Sequence, residues 1–332
     1  MSKAYLALSA QERLEFILEA GQALNREAAV LEKDIWVCWA LEVLFSLELP
    51  MVFKGGTSLS KVYHVINRFS EDLDITIDHA ASGDVLTDPI AASVSNTKRR
   101  EFSERMKLYT QQQVRDRILP HLQGQAERVG QVTVSLAGEG DEIHIHYQQV
   151  MQSGYILPYI KLEFGSRNAV EPSSIHLIEP DVLAWNSASQ LEFPRANVPV
   201  LLAERTFWEK VTLIHAELTR KNPKVTFARY SRHWYDLAQL AGHEQGSRAL
   251  KRLDLRDHVI RTKTALFGVS GVNYDQVATG QCQLIPKGDL QAALEQDYTA
   301  MNRAGMFESD PPIWGEILTV LQELERSING LS

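Results

Sequence analysis

The chain predicts a mixed α/β (α+β) fold, a mixed sheet flanked by helices and followed by a C-terminal helical domain, and three observations predict it. Apolar residues recur at helical spacing up to Leu47 and again beyond Pro199, and at a spacing of two between Gly130 and Ile178. A short apolar strand, a Gly-Gly turn and a helix lead into a second strand in FKGGTSLSKVYHVINRFSEDLDITID, Phe53 to Asp78. On that second strand Asp72 and Asp74 stand two residues apart, so their carboxylates leave one face about 7 Å apart along the backbone. Leu73, Ile75 and Ile77 supply the opposite, buried face.

Taken in order, Ser9 followed by Glu12 is a capping-box signature that opens a helix within Leu8–Leu24. A second helix is expected over Glu27–Leu47, with Leu31, Ile35, Cys38, Trp39, Leu41, Leu44 and Phe45 as its apolar stripe. Pro50 ends that run ahead of the strand at Met51. Asp78 to Asp88 reads as loop, and Asn96–Leu119 as a helix interrupted by Pro120. That helix carries Lys98, Arg99, Arg100, Arg105, Lys107, Arg115 and Arg117, which reads either as a solvated face offset by Glu101, Glu104 and Asp116 or as a basic arm that guides a polyanion. Strands follow at Val132–Val134, Ile143–Ile145, Ile156–Phe164 and Ile175–Ile178, with turns such as AGEGD at 137–141. From Pro199 onward five helices are expected: Leu201–Leu218, Tyr230–Ala241, Ser247–Ala265, Asp289–Met301 and Pro312–Ile328, with a basic connector at 220–224. The domain boundary falls in PRANVP, giving 1–195 as the sheet domain with its N-terminal helices and 196–332 as the helical domain.

At 332 residues, 44% apolar and 23% charged, the chain has the composition of a globular protein with a substantial core. A net charge of −8 argues against a surface that binds nucleic acid throughout. Two cysteines, Cys38 and Cys282, are no disulfide framework. The longest apolar run, Ile35 to Leu41, is too short to cross a membrane, and the N-terminus lacks the length of a secretory signal. Cytoplasmic residence is therefore the expectation.

The acid pair reads as a site for a hard divalent cation, Mg2+ or Mn2+, which takes oxygen ligands from one or two carboxylates and from substrate phosphates. Gly55 and Gly56 let backbone approach a phosphate closely, and Thr57 and Ser58 add hydroxyls at the following helix start. Lys54 either binds a triphosphate or simply ends the strand, and Ser70 shares the face of Asp72 if the strand already runs there. Glu163, between Leu162 and Phe164 in YIKLEFG, is the candidate third carboxylate, with an exposed strand glutamate as the plainer alternative. The pair His144 and His146 lacks a third ligand at metal spacing and reads as ordinary sheet residues. D-x-D alone is common on solvated strands; its joining to KGGTSLSK is what gives it weight.

A Gly-Gly turn, a helix and then D-x-D on a strand resembles the nucleotidyltransferase fold of the DNA polymerase β type. In more detail, FKGGTSLSK followed by RFSEDLDI resembles the AbiEii/AbiGii family of nucleotidyltransferase toxins, the toxin halves of type IV abortive-infection toxin–antitoxin pairs. The resemblance extends to Glu32, Lys33 and Asp34, to Lys210 in FWEKVTLIHAE and to Asp236 in RYSRHWYDLAQL, and so covers residues 32 to about 240. It implies transfer of NMP from an NTP to an acceptor, with tRNA the leading candidate, in a phage-defence setting with a cognate antitoxin. It also implies that Asp72, Asp74 and Glu163 hold metal and that the helical domain contributes Lys210 and Asp236 to the active site. Arg229, Arg232 and His233, as neighbours of Asp236, read either as contacts to triphosphate or RNA or as the ordinary charge mix of one helix. The plainer alternatives are a snorkelling lysine for Lys210 and a helix-surface carboxylate for Asp236. Residues 241–332 carry no assignable motif.

Two other classes remain open. A non-catalytic nucleotide- or RNA-binding module on the same fold is opposed by the intact acid pair, and a transferase with a small-molecule or protein acceptor uses the same chemistry. A P-loop NTPase is excluded, because the turn lacks the G-x-x-x-x-G-K-[ST] spacing.

Overall fold

The computed structural model of the protein describes residues 3–70, 72–84, 88–151, 157–185, 191–221 and 228–331. The chain runs β1 (Lys3–Ala4), α1 (Ala10–Leu24), α2 (Ala28–Phe45), β2 (Met51–Lys54), α3 (Gly55–Lys61), β3 (Asp72–Ile77), α4 (Asn96–Gln113) and α5 (Leu119–Val129). Then come β4 (Val132–Ala137), β5 (Glu142–Tyr147), β6 (Ile160–Gly165), β7 (Ser173–Ile178), β8 (Leu191–Glu192) and β9 (Ala196–Leu201). Six helices complete it: α6 (Ala203–Thr219), α7 (Arg232–Gly242), α8 (Glu244–Lys251), α9 (Leu253–Leu266), α10 (Gly288–Arg303) and α11 (Trp314–Asn329). They form two compact units, one of Met1–Val62, Phe69–Asp84 and Arg105–Val200, the other of Tyr63–Arg68, Val85–Glu104 and Leu201–Ser332.

The first unit is built on a seven-stranded mixed sheet in the order β4-β5-β6-β3-β2-β9-β7. β3, which carries the acid pair, lies at its centre, parallel to β6 and antiparallel to β2. Its alternation explains the placement: Leu73, Ile75 and Ile77 are buried at 2% exposure or less, whereas Asp72 and Asp74 are half-buried on the other face. Ser9 caps α1 through the expected reciprocal pair, the Glu12 N–H donating to Ser9 Oγ and the Ser9 N–H to the Glu12 carboxylate. α2 is buried almost all round, including Glu32, Lys33 and Asp34.

The second unit is helical. Trp208 and Trp234, both fully buried, donate their indole N–H groups to the carbonyls of Ala249 and Leu284. The segment from Tyr63 to Arg68 is tied into it: the Glu308 N–H donates to the Asn67 carbonyl, the Asn67 N–H to the Tyr235 hydroxyl, and Arg68 bridges Phe307. Asp297 on α10 accepts from the N–H groups of Arg229 and Ser231 and from the Ser231 hydroxyl, which fixes the entry into α7.

The fold class is the one the sequence predicts, with local differences. Pro120 does not interrupt the long helix; a π-helical turn at Val114–Ile118 widens the chain just ahead of it, and the proline opens α5, where its missing N–H costs little. Ala196–Leu201 is a strand and not the start of a helical region, with Val198 and Val200 buried and Val200 in register with Phe53. Pro199, from which helices were expected, lies inside that strand, and its neighbours alternate as a strand does. The helix expected over Ser247–Ala265 is two, because Arg252, with ψ near 65°, leaves helical geometry between α8 and α9. β6 starts at Ile160; Ile156 and most of the connector at 220–224 lie outside the described residues.

Candidate active site

Two groupings of candidate residues emerge, one on the sheet and one among the helices. On the sheet, β2 ends at Lys54 and α3 begins at once with Gly55, earlier than the Thr57 or Ser58 expected. Gly55 adopts a φ of +81°, and a Cβ placed on it would come within 2.0 Å of Asp74 Oδ2. Only glycine lets this backbone turn with the aspartate lying against it. Thr57 and Ser58 are buried and turned inward: the Thr57 hydroxyl lies 2.5 Å from the Asp72 carbonyl and 3.0 Å from the Ser70 hydroxyl, and Ser58 donates to the Gly55 carbonyl. These hydroxyls brace the turn against β3.

Register places the charged residues in rows. Asp74 is opposite Lys54 on β2 and Glu163 on β6, and Glu163 is opposite Glu142 on β5; the neighbouring row holds Asp72, Lys161 and His144. Lys161 forms an ion pair with Glu163 and lies 3.8 Å from a Glu142 carboxylate oxygen. Partial burial pulls its ammonium down, but the bond to Glu163 and the charges of Glu163, Glu142 and Asp72 hold it above the ordinary lysine range. Sequence reasoning passed over Lys161, although two residues before Glu163 on a strand means the same face. His144 stacks on Tyr159 with ring centroids 4.2 Å apart.

Asp72 and Asp74 offer hard oxygen donors from one face, and that donor set fits Mg2+ or Mn2+, which take only one or two carboxylates from protein. Among the described residues no group of three or more His, Cys, Asp or Glu side chains is gathered for a metal ion, so Glu163 is not gathered with the pair. His144 and His146 likewise belong to no such group among the described residues.

The helical grouping joins Lys210 on α6 to Asp236 on α7. Asp236 is fully buried; Lys210 Nζ donates to its Oδ2 at 2.8 Å, while Arg68 donates to Oδ1 at 2.6 Å and Oδ2 at 2.8 Å. Burial pushes the Asp236 carboxyl up, but the two cations outweigh it and hold the group well below the usual carboxylate range. Lys210 moves the other way: burial lowers it, and Arg68 and Arg232 add to that against the pull of Asp236. The net direction at Asp236 is set by its two cations, that at Lys210 chiefly by its own burial. Arg68, with 2% exposure, was not anticipated: it opens the RFSEDLDI stretch four residues before Asp72, but nothing local in the sequence ties it to a carboxylate on a distant helix. Arg232 is half-buried, and His233, whose Nδ1 is buried, is held neutral by burial and by Lys210 and Arg232.

Glu32, Lys33 and Asp34 are structural fasteners. Glu32 accepts from the N–H groups of Val150 and Met151, Lys33 donates to the Leu157 carbonyl, and Asp34 pairs with Lys61 at the end of α3. On α4, Arg105 pairs with Asp84 and Lys107 with Glu139, whereas Lys98 and Arg100 are exposed.

No helix among the described residues is long and apolar enough to cross a membrane. Among curated proteins none matches this chain. In structure the chain is similar to the nucleotidyltransferase toxin MenT4 from Mycobacterium tuberculosis H37Rv, at 16% identity over 98% of this chain and 99% of that one, with a TM-score of 0.44. The profile described as nucleotidyl transferase AbiEii toxin, type IV toxin–antitoxin system, matches residues 39–320. That span takes in the Gly-Gly turn, the acid pair, Lys210, Asp236 and most of the C-terminal region in which the sequence shows no motif. The chain belongs to the AbiEii family of nucleotidyltransferase toxins of type IV toxin–antitoxin systems, which makes it an enzyme with a nucleotide substrate and an antitoxin partner.

Proposed function

We propose that the Asp72–Asp74 face is the nucleotidyl-transfer centre, that it works with Mg2+ or Mn2+, and that the acceptor is RNA, with tRNA the first candidate. The observation that carries this reading is the pairing of two half-buried carboxylates on one face of the central strand with the Gly55 backbone set directly against Asp74. In the reaction an acceptor hydroxyl bonds to the α-phosphorus of the NTP, the bond to the β-phosphate oxygen breaks, pyrophosphate leaves and the hydroxyl proton is lost to a base. Asp72 and Asp74 would hold the cation, which when bound supplies charge stabilisation to the phosphates. Gly55 and Gly56 leave room for a phosphate beside the strand end, and Lys54 supplies a cation in register with Asp74. Glu163, on the same face, is the candidate base. Within the helical unit Asp236, with both oxygens engaged and no exposure, orients Lys210 and Arg68 instead of touching substrate.

The exposed cations at the start of α4, Lys98 and Arg100, favour a polyanionic acceptor over a small molecule, and the family's membership of type IV systems favours growth arrest during phage infection as the setting. The test is incubation of purified protein with each labelled NTP, Mg2+ and total RNA. Label is expected on RNA and lost in Asp72→Asn and Asp74→Asn with the fold retained. Label confined to protein or small molecules would replace the acceptor; no label on anything would favour a binding module; equal labelling by both variants would remove the mechanism.

A further inference from the structure

Lys161 stands among the acids of the sheet face, and no step outlined above uses it. It is directly across from Asp72 on one side and His144 on the other, two residues along from the row that holds Asp74, Glu163 and Glu142. Its ammonium pairs with Glu163 and approaches Glu142, and the side chains are 24%, 38% and 28% exposed, so neither ion pair is locked in a core. Glu163, meanwhile, joins no group of three metal-competent side chains among the described residues, although register puts it beside Asp74. A strand glutamate this close to the acid pair is turned to an internal cation.

We infer that Lys161 is a positioning residue, the resident counter-cation of the carboxylate face: it holds Glu163 back from Asp72 and Asp74 and releases it only as a divalent cation enters. The physical basis is competition. A carboxylate paired with an ammonium gains less from a second cation, and the two cations repel each other at a few ångströms through a partly aqueous medium. Divalent-cation affinity is therefore set below what the carboxylates alone would give, which ties full assembly of the face to arrival of a cation together with a phosphate-bearing substrate. The inference rests on the reading of Asp72 and Asp74 as the cation site.

Binding of Mn2+ alone to the full chain, followed by calorimetry, tests it without recourse to turnover. Lys161→Gln is expected to bind Mn2+ on the order of tenfold more tightly than the parent, since Glu163 is then freed from its ammonium partner and available to the cation. Lys161→Arg keeps the charge and the parent affinity. Glu163→Gln removes the group over which the cations compete, so adding Lys161→Gln to it should give no comparable gain. Equal or weaker binding by Lys161→Gln, tight binding by Lys161→Arg, or absence of Mn2+ binding in both parent and Lys161→Gln overturns the inference, provided circular dichroism shows the variants folded. Parent-like Mn2+ binding in a combined Asp72→Asn, Asp74→Asn chain overturns instead the assignment of the aspartates, whatever Lys161 does.

Discussion

Lys61 Nζ donates to Asp34 Oδ2 at 2.8 Å, which fastens the last residue of α3 to the middle of α2. The same ammonium donates to Asp181 Oδ1 at 2.6 Å, the Asp181 N–H donates back to Asp34 Oδ2, and Arg26 pairs with the far oxygen of Asp181. Seven residues separate the glycine that lies against Asp74 from this lysine inclusive, so the anchor fixes the helix that carries the turn.

Lys61→Met should therefore be strongly destabilising. The lysine side chain is 6% exposed, and its loss leaves Asp34 buried with no cation, an omission that costs roughly 3–5 kcal/mol, with the lower end expected because Arg26 still serves Asp181. Urea unfolding should show a lower midpoint at an unchanged slope. A midpoint equal to that of the parent would mean that the network contributes little.

Gly55→Ala separates site geometry from stability. The added methyl meets Asp74 Oδ2 at 2.0 Å and the residue must keep a φ of +81°, which for a residue with a Cβ costs about 1–2 kcal/mol. The aspartate side chain is the mobile partner, so it turns aside and the fold survives. The expected outcome is a melting temperature lowered by a few degrees beside a loss of NTP-dependent labelling far larger than that shift explains. Full labelling by a folded Gly55→Ala chain would detach Asp74 from the chemistry.

The strand that bears the acids was legible because alternation is a period-two signal and Leu73, Ile75 and Ile77 repeat it cleanly. The capping box of α1 was legible for a similar reason, since its two partners lie three residues apart. Long-range partners were not. Nothing local joins Arg68 to Asp236, 168 residues on, or Asp34 to Asp181, because those pairs are chosen by tertiary packing and leave no periodic trace. Pro120 misled because a missing N–H matters only where the ladder needs it, and a helix start can do without it. Thr57 and Ser58, at a helix start behind a Gly-Gly turn, read as added hydroxyls for a phosphate, yet tertiary packing turns both inward.

Asp236→Asn should remove the one anion shared by Arg68 and Lys210. Lys210 then loses its buried carboxylate partner and Arg68 both of its bonds to that carboxylate, at a cost of roughly 3–5 kcal/mol. The sign of the pH dependence follows from a carboxyl held below its usual range: the stabilisation is complete above the unfolded carboxylate value of about 4 and fades as pH falls below it. The variant should accordingly lose part of the acid sensitivity that the parent shows below about pH 4. A parent-like unfolding free energy at pH 7 would refute the account of the triad.

A second pH dependence, nearer neutrality, comes from His215 on α6. The ring is fully buried, Nε2 lies 3.2 Å from the Asn273 carbonyl and Nδ1 accepts from the Gln283 N–H at 3.2 Å. That pairing suits a neutral imidazole, because protonation would set an Nδ1–H against another N–H; burial lowers the group from the ordinary histidine value, the Asn273 bond opposing it only in part. An unfolded chain thus takes up a proton near pH 6.5 that the folded chain refuses, so stability is retained above that pH and declines below it. The limiting slope is about 1.4 kcal/mol per pH unit for one such histidine. Urea unfolding at pH 8, 7, 6 and 5 should show stability level over the first interval and declining over the last. His215→Gln, which cannot titrate, should shrink that decline even though it lowers stability at pH 8. An identical decline in parent and variant would place the effect on other groups.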